Sequence, residues 1–194
     1  MNLFELLFGL MAVILGLALT HIAASVQRLL HAGRRIRWAP EPVLLTAILL
    51  LLIITVWIGQ WVSRGVTHVT TLLTLLQVLK MLAIYFAAAS VLPDRIGDDE
   101  RVDLLEHYDR TRWLTFGALI LAPVLFFTDR AIYAHELPHT IGDLLSWFLG
   151  PVLFFTLIFI RWRPYNVVAL IFLLCWYGYQ AWPIDLSNFS YKGS

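Results

Sequence analysis

The sequence predicts an all-α fold: a polytopic membrane bundle of six transmembrane helices, in one domain covering residues 1–194. Three observations carry this. The chain is 60% hydrophobic and only 14% charged, against roughly 25% charged in an ordinary globular chain. Its apolar runs recur at membrane length, and its basic residues gather in alternate connectors. Six spans of about 20 residues use roughly 120 positions, which leaves no room for a sizeable extramembrane catalytic domain.

Apolar runs bounded by charge or by Pro and Gly place the helices at about 3–27, 43–62, 66–91, 113–129, 142–160 and 165–182. The first begins without a positive region ahead of it, since Met1-Asn2-Leu3-Phe4-Glu5 carries no Lys or Arg. A cleaved signal peptide is therefore not expected. Small residues at Ala12, Gly16, Thr20 and Ala24 repeat every four positions and predict an intramolecular packing seam, with homodimerisation as the lesser reading. The second run ends before Arg64, and the third opens on a Thr-rich stretch and stops at Leu92-Pro93. Ahead of the fourth, Asp98-Asp99-Glu100 is suited to cap a helix that continues into it. The fifth follows Pro138, Gly142 and Asp143, shared turn chemistry with Pro93, Gly97 and Asp98. Cys175 in the sixth run reads as a small buried hydrophobe.

Six spans put both ends on one side. Ten of the fourteen basic residues (Arg28, Arg34, Arg35, Arg37, Arg95, Arg101, Arg110, Arg112, Arg161 and Arg163) fall in the same three connectors, while Arg64, Arg130 and Lys192 fall opposite. Positive-inside bias then makes both termini non-cytoplasmic. Trp38, Trp113 and Trp162 mark the inner boundary and Trp61, Trp147 and Trp182 the outer one. The net charge of +1 supplies no electrostatic reason to expect nucleic acid. The bilayer itself is the expected partner, with a homo-oligomer or a membrane complex as the assembly reading.

Lys80 is the most informative residue, because it lies near the middle of the third helix. About ten residues, or ~15 Å, separate it from the inner edge, farther than a lysine stem snorkels. Thr67, Thr70, Thr71 and Thr74 fall within an arc of about 100°, Gln77 extends it, and Lys80 lies roughly 60° beyond. Together they form a polar stripe running inward from the outer side. All acidic residues fall in connectors or at span ends, so Lys80 is expected to lack a carboxylate at its own depth, a costly state for a buried ammonium. Trp57, Gln60 and Trp61, with Trp176, Tyr177, Tyr179, Gln180 and Trp182, occupy the same half of the bilayer. They are suited to line an outward pocket or to anchor the interface. Leu121 to Thr128 and Leu149 to Thr156 are near-repeats carrying Pro123 and Pro151. Each proline frees a carbonyl, which offers Lys80 a structural partner instead of a ligand.

His135-Glu136-Leu137-Pro138-His139 fits the H-E-x-x-H string of zinc sites. Pro138 opposes the helix that string requires. Zinc held by His135, His139 and Glu136, with help from His68, Asp129 or Asp143, is weighed against a plain polar loop, and the loop is favoured. An enzyme is accordingly the third reading. His21 and His68 sit near opposite faces, so no haem is expected between them.

Phe8-Gly9 through Gly16-Leu17-Ala18-Leu19-Thr20-His21, then Tyr85-Phe86-Ala87-Ala88-Ala89-Ser90 before Leu92-Pro93-Asp94, then Val102-Asp103-Leu104 with His107-Tyr108 and Arg112-Trp113 give the chain a likeness. It resembles a group of small six-helix bacterial membrane proteins of no assigned function. The resemblance covers about the first two thirds of the chain and implies a bacterial inner-membrane bundle, without implying an activity. The leading expectation is binding or translocation of a small solute or ion along the third-helix stripe, with Lys80 as the contact. The rival is a non-catalytic accessory or scaffold subunit.

Overall fold

The structure, a computed structural model, describes residues 3–62, 70–94, 101–134 and 140–182. Six long helices run through them: α1 (Leu3–Ala32), α2 (Pro40–Val62), α3 (Thr71–Val91), α4 (Leu104–Asp129), α5 (Ile141–Phe159) and α6 (Arg163–Ala181). Five of these, α1 to α5, are long and apolar enough to cross a membrane. The sixth is as long as α5, at 19 residues, but Asn166, Gln180 and its tyrosines make it less apolar.

Helix ends follow local chemistry more closely than hydropathy. α1 continues to Ala32, beyond the expected limit near 27, and Gly33 at φ 52° turns the chain out of it. Pro40 opens α2, where its missing N–H costs no hydrogen bond. Thr70 caps α3, its Oγ1 accepting from the Leu73 N–H at 3.2 Å. α4 starts at Leu104, within the extension expected ahead of the apolar run at 113, where Asp103 accepts the Leu105 N–H at 2.9 Å. The expected cap at Asp98-Asp99-Glu100 lies outside the described residues. Thr140 and Asp143 form a reciprocal capping box on α5. Hydropathy marks the lipid-compatible stretch, whereas helices persist through polar turns wherever a cap is available.

α3 packs most extensively against α4 and next against α1; α2 lies against α6, and α4 also meets α5. The pairs Gln77–Asp129 and Ser90–Thr115 run in opposite senses, so α3 and α4 are antiparallel. At the arginine-rich end, Ile36–Arg37 (β1) and Val102–Asp103 (β2) form a two-residue parallel ladder. An ion pair from Arg37 Nη1 to Asp103 Oδ2 at 3.1 Å accompanies it.

The faces turned inward differ from expectation in two places. α1 buries Met11, Leu15, Ala18, Ile22, Ser25 and Leu29, which share an arc of about 80°. Its small-residue stripe lies on the opposite side. Gly16 and Thr20 are exposed, and a Cβ at Gly16 would meet nothing within 4 Å. Among the described residues the intramolecular seam expected there is therefore not formed. Cys175 is exposed as well. The cause is common to both: lipid is as apolar as a protein core, so hydrophobicity and small size do not reveal which side of a membrane helix turns inward. Exposed Leu17, Ile54, Phe155 and Val168 make the same point.

Candidate functional site

Lys80 is 4% exposed, and α3 turns it toward α4. Its Nζ lies 3.9 Å from Asp129 Oδ2, and the same oxygen accepts a hydrogen bond from Gln77 Nε2 at 2.7 Å. The expectation that no carboxylate reaches the depth of Lys80 is thus corrected. Asp129 closes α4 without ending the helical rod, because Arg130–Ala134 continue it as a π-helix. The Arg130 N–H is shared between the carbonyls of Phe126 and Phe127 at this change of winding. Short π segments recur at functional sites because they turn side chains off the regular helical face. The extra turn carries the chain past Asp129, whose carboxylate lies inside the bundle at 15% side-chain exposure.

At 3.9 Å the pair is a charge contact and not a hydrogen bond. At an effective dielectric of about 20, its attraction is about 4 kcal/mol, enough to offset much of the desolvation of both groups. The Phe126 ring adds a second favourable contact, with Lys80 Nζ at 5.2 Å and the Arg130 guanidinium carbon at 5.4 Å from its centroid. Gln77 Oε1 is buried and has no hydrogen-bond partner among the described residues. The site therefore offers a cation, a carboxylate and an unused carbonyl acceptor within one turn of α3.

The rest of the expected stripe does not converge on this point. Thr74 donates its hydroxyl to the Thr70 carbonyl at 3.1 Å, and Thr70 is spent on the cap. Both serve the helix itself. Thr71 is exposed. Trp57 packs against Phe8 at 6.4 Å between centroids, Trp176 stacks on Phe172 of its own helix, and Tyr179 and Gln180 are exposed. Thr67 and the Gln60 side chain lie outside the described residues. So do His68, His135, Glu136 and His139, the expected zinc set. Among the described residues no group of three His, Cys, Asp or Glu is placed to hold a metal. The two supporting carboxylates are engaged elsewhere, Asp129 with Gln77 and Lys80, and Asp143 in the α5 capping box.

Both prolines sit inside unbroken helices, Pro123 in α4 and Pro151 in α5. Lys80 makes its contact with Asp129 and not with the carbonyls they free.

A second polar cluster, which the sequence did not reveal, joins four helices at the arginine-rich end. Arg112 is 3% exposed. It donates from Nη1 to the Ile160 carbonyl at 3.2 Å and pairs with Asp109 at 2.9 Å. Asn166 completes the arrangement, with Nδ2 donating to the same carbonyl and Oδ1 accepting from Arg112 Nη2, both at 2.9 Å. Ile160 is the C-cap of α5, so a guanidinium from α4 satisfies the negative end of that helix. Glu41 of α2, fully buried, takes Arg163 Nε of α6 at 3.1 Å. Apart from the Asp109 pair within α4, these contacts cross between helices and act as a lock on the bundle. Arg112 stood beside Asp109 and Arg110, and Glu41 between two prolines, and nothing in their neighbours marked them for burial.

His21 and His107 belong to the same end. His21 Nε2 lies 2.6 Å from Asp94 Oδ1, and His107 Nε2 meets the Ser90 carbonyl at 3.1 Å. Neither approaches the Lys80 site. Comparison with known protein families, with curated proteins and with solved structures finds no match for this chain.

Proposed function

We propose that this is a six-span bacterial inner-membrane protein with both termini outside the cytoplasm, and that it binds a small polar solute or ion at the Lys80–Gln77–Asp129 cluster. The single observation behind the reading is the geometry of that cluster: a buried ammonium beyond hydrogen-bonding reach of its carboxylate, beside a buried carbonyl oxygen with no partner among the described residues. A small solute with one acceptor and one donor satisfies both, the ammonium donating to it and Gln77 Oε1 accepting from it. Asp129 holds the Gln77 amide in the orientation that presents this acceptor.

Binding suits the geometry better than passage. Inward of Lys80 the buried residues of α3 are Met81, Ala83, Ile84, Ala87 and Ala88, and those of α4 are Phe116, Leu119 and Ala122. Buried polar groups resume only at Ser90 and Thr115, ten residues or about 15 Å further along. Translocation requires this apolar seam to open.

The test is calorimetric titration of purified protein with inorganic phosphate, lactate and glycine in turn. The reading expects heat of binding from at least one probe, and its loss in a folded Lys80→Met variant. No heat with any of the three, or binding unchanged in the variant, removes the site.

A further inference from the structure

Three buried polar atoms at the arginine-rich end take no part in the contacts that lock α2, α4 and α6 together. Glu41 is fully buried, and Tyr108 and Arg112 are 2% and 3% exposed. Glu41 Oε2, the Tyr108 hydroxyl and Arg112 Nε have no hydrogen-bond partner among the described residues. Such atoms are rare in native interiors, because each one left unsatisfied costs its desolvation. Three in one place point to one shared partner.

The packing brings them to one place. Tyr108 and Arg112 stand one turn apart on the buried face of α4, with the guanidinium carbon 5.1 Å from the tyrosine ring centroid. Glu41 lies in the first turn of α2, and α6 ties it to the same region. Arg163 takes Glu41 Oε1, while Asn166, three positions along the same face of α6, bonds Arg112 Nη2. The charges that act on the Tyr108 hydroxyl are those of Arg112, Glu41 and Asp109.

Their hydrogen-bonding roles are complementary. An ionised carboxylate oxygen only accepts, a guanidinium N–H only donates, and a phenol does either. A molecule that serves all three must both donate and accept, and the enclosure of the three side chains restricts it to the smallest size. We infer that one ordered water molecule binds here, donating to Glu41 Oε2, accepting from Arg112 Nε and sharing a third hydrogen bond with the Tyr108 hydroxyl. About three such bonds are usual for a buried water. The water ties α2 to α4 directly, where Arg163 and Asn166 link them through α6.

A crystal structure of the purified full chain, at a resolution that shows ordered solvent, tests the site. One solvent oxygen is expected at about 2.7–3.2 Å from all three atoms. Melting temperatures supply a second measurement. Tyr108→Phe removes only the hydroxyl and keeps the edge-on ring contact with Phe116, and Glu41→Gln keeps the side-chain shape and an oxygen for Arg163. Either change alone disturbs the shared water, so the double variant should lose less than the sum of the two single losses. Strictly additive losses overturn the site. So does a wild-type map without solvent between the three atoms, one in which the Tyr108 hydroxyl bonds Glu41 Oε2 directly, or one in which the peak refines as a buffer ion.

Discussion

Lys80 and Asp129 approach one another from antiparallel helices, the lysine from within α3 and the aspartate from the point where α4 changes to π winding, with 3.9 Å between Nζ and Oδ2. Removing either partner leaves the other buried without its counter-charge. Asp129→Ala should cost roughly 3 kcal/mol, whereas Lys80→Met combined with Asp129→Leu should return to within about 1 kcal/mol of wild type. Denaturant unfolding in detergent micelles reads this. A double-variant loss equal to the sum of the losses in the two single variants would mean that the two charges are not energetically coupled.

Gly150 of α5 faces Tyr177 of α6 so closely that an added Cβ would collide with the tyrosine hydroxyl and lie 3.1 Å from its Cζ. Phe154 stacks on the same ring at 6.4 Å between centroids, which limits its retreat. Gly150→Ala should therefore destabilise by about 1–3 kcal/mol through overpacking. Adding Tyr177→Phe should restore part of the loss, since the hydroxyl is the nearest obstacle. A Gly150→Ala variant with unchanged melting temperature contradicts this packing.

Arg112 serves the Ile160 carbonyl, Asn166 and Asp109 together. A lysine has the charge but not the planar fork, and it cannot reach all three acceptors. Arg112→Met should cost more than Arg112→Lys, itself about 2 kcal/mol, because the buried Asn166 Oδ1 then loses its donor and the Ile160 carbonyl keeps only Asn166 Nδ2. The melting temperatures should fall in the order wild type, Lys, Met; a Met variant as stable as wild type contradicts the lock.

Asp103 lies ahead of α4, and the Leu105 N–H, reinforced by the Glu106 N–H and by Arg37, holds its carboxyl below the usual carboxylate value. The sign follows from linkage: a carboxyl depressed in the folded state contributes stability above its unfolded pKa of about 3.9, and loses it as pH falls through the folded value. Asp103→Asn retains a capping oxygen but does not titrate. The difference in melting temperature between wild type and Asp103→Asn should shrink as pH drops from 6 through the carboxylate range of about 4 and below. A difference independent of pH excludes Asp103 from the acid response.

Much of this architecture was legible locally. The helices at 43–62 and 142–160 match α2 and α5 to within three residues at either end, since membrane-length apolar runs have few alternatives. Pro164 at the opening of α6 and Asp143 at the opening of α5 act through backbone geometry and hydrogen bonds a few residues long. The importance of Lys80 was also legible, because a cation within an apolar run is conspicuous at any fold. Its partner was not, since Asp129 looked like the end of a span until the π turn extended the rod beyond it.

The amino-acid sequence alone determined that this chain forms helices of membrane length, where caps and prolines start them, and that one lysine lies deep among apolar residues. Each of those outcomes depends on neighbours within a few positions. Tertiary structure decided which side of every helix faces inward, why Gly16 and Cys175 are exposed, and how Lys80 meets Asp129 and Arg112 meets Asn166. The reason is energetic: in a bilayer the outside of a helix is as apolar as the inside, so side-by-side packing and long-range polar pairing, not hydrophobicity, orient the bundle.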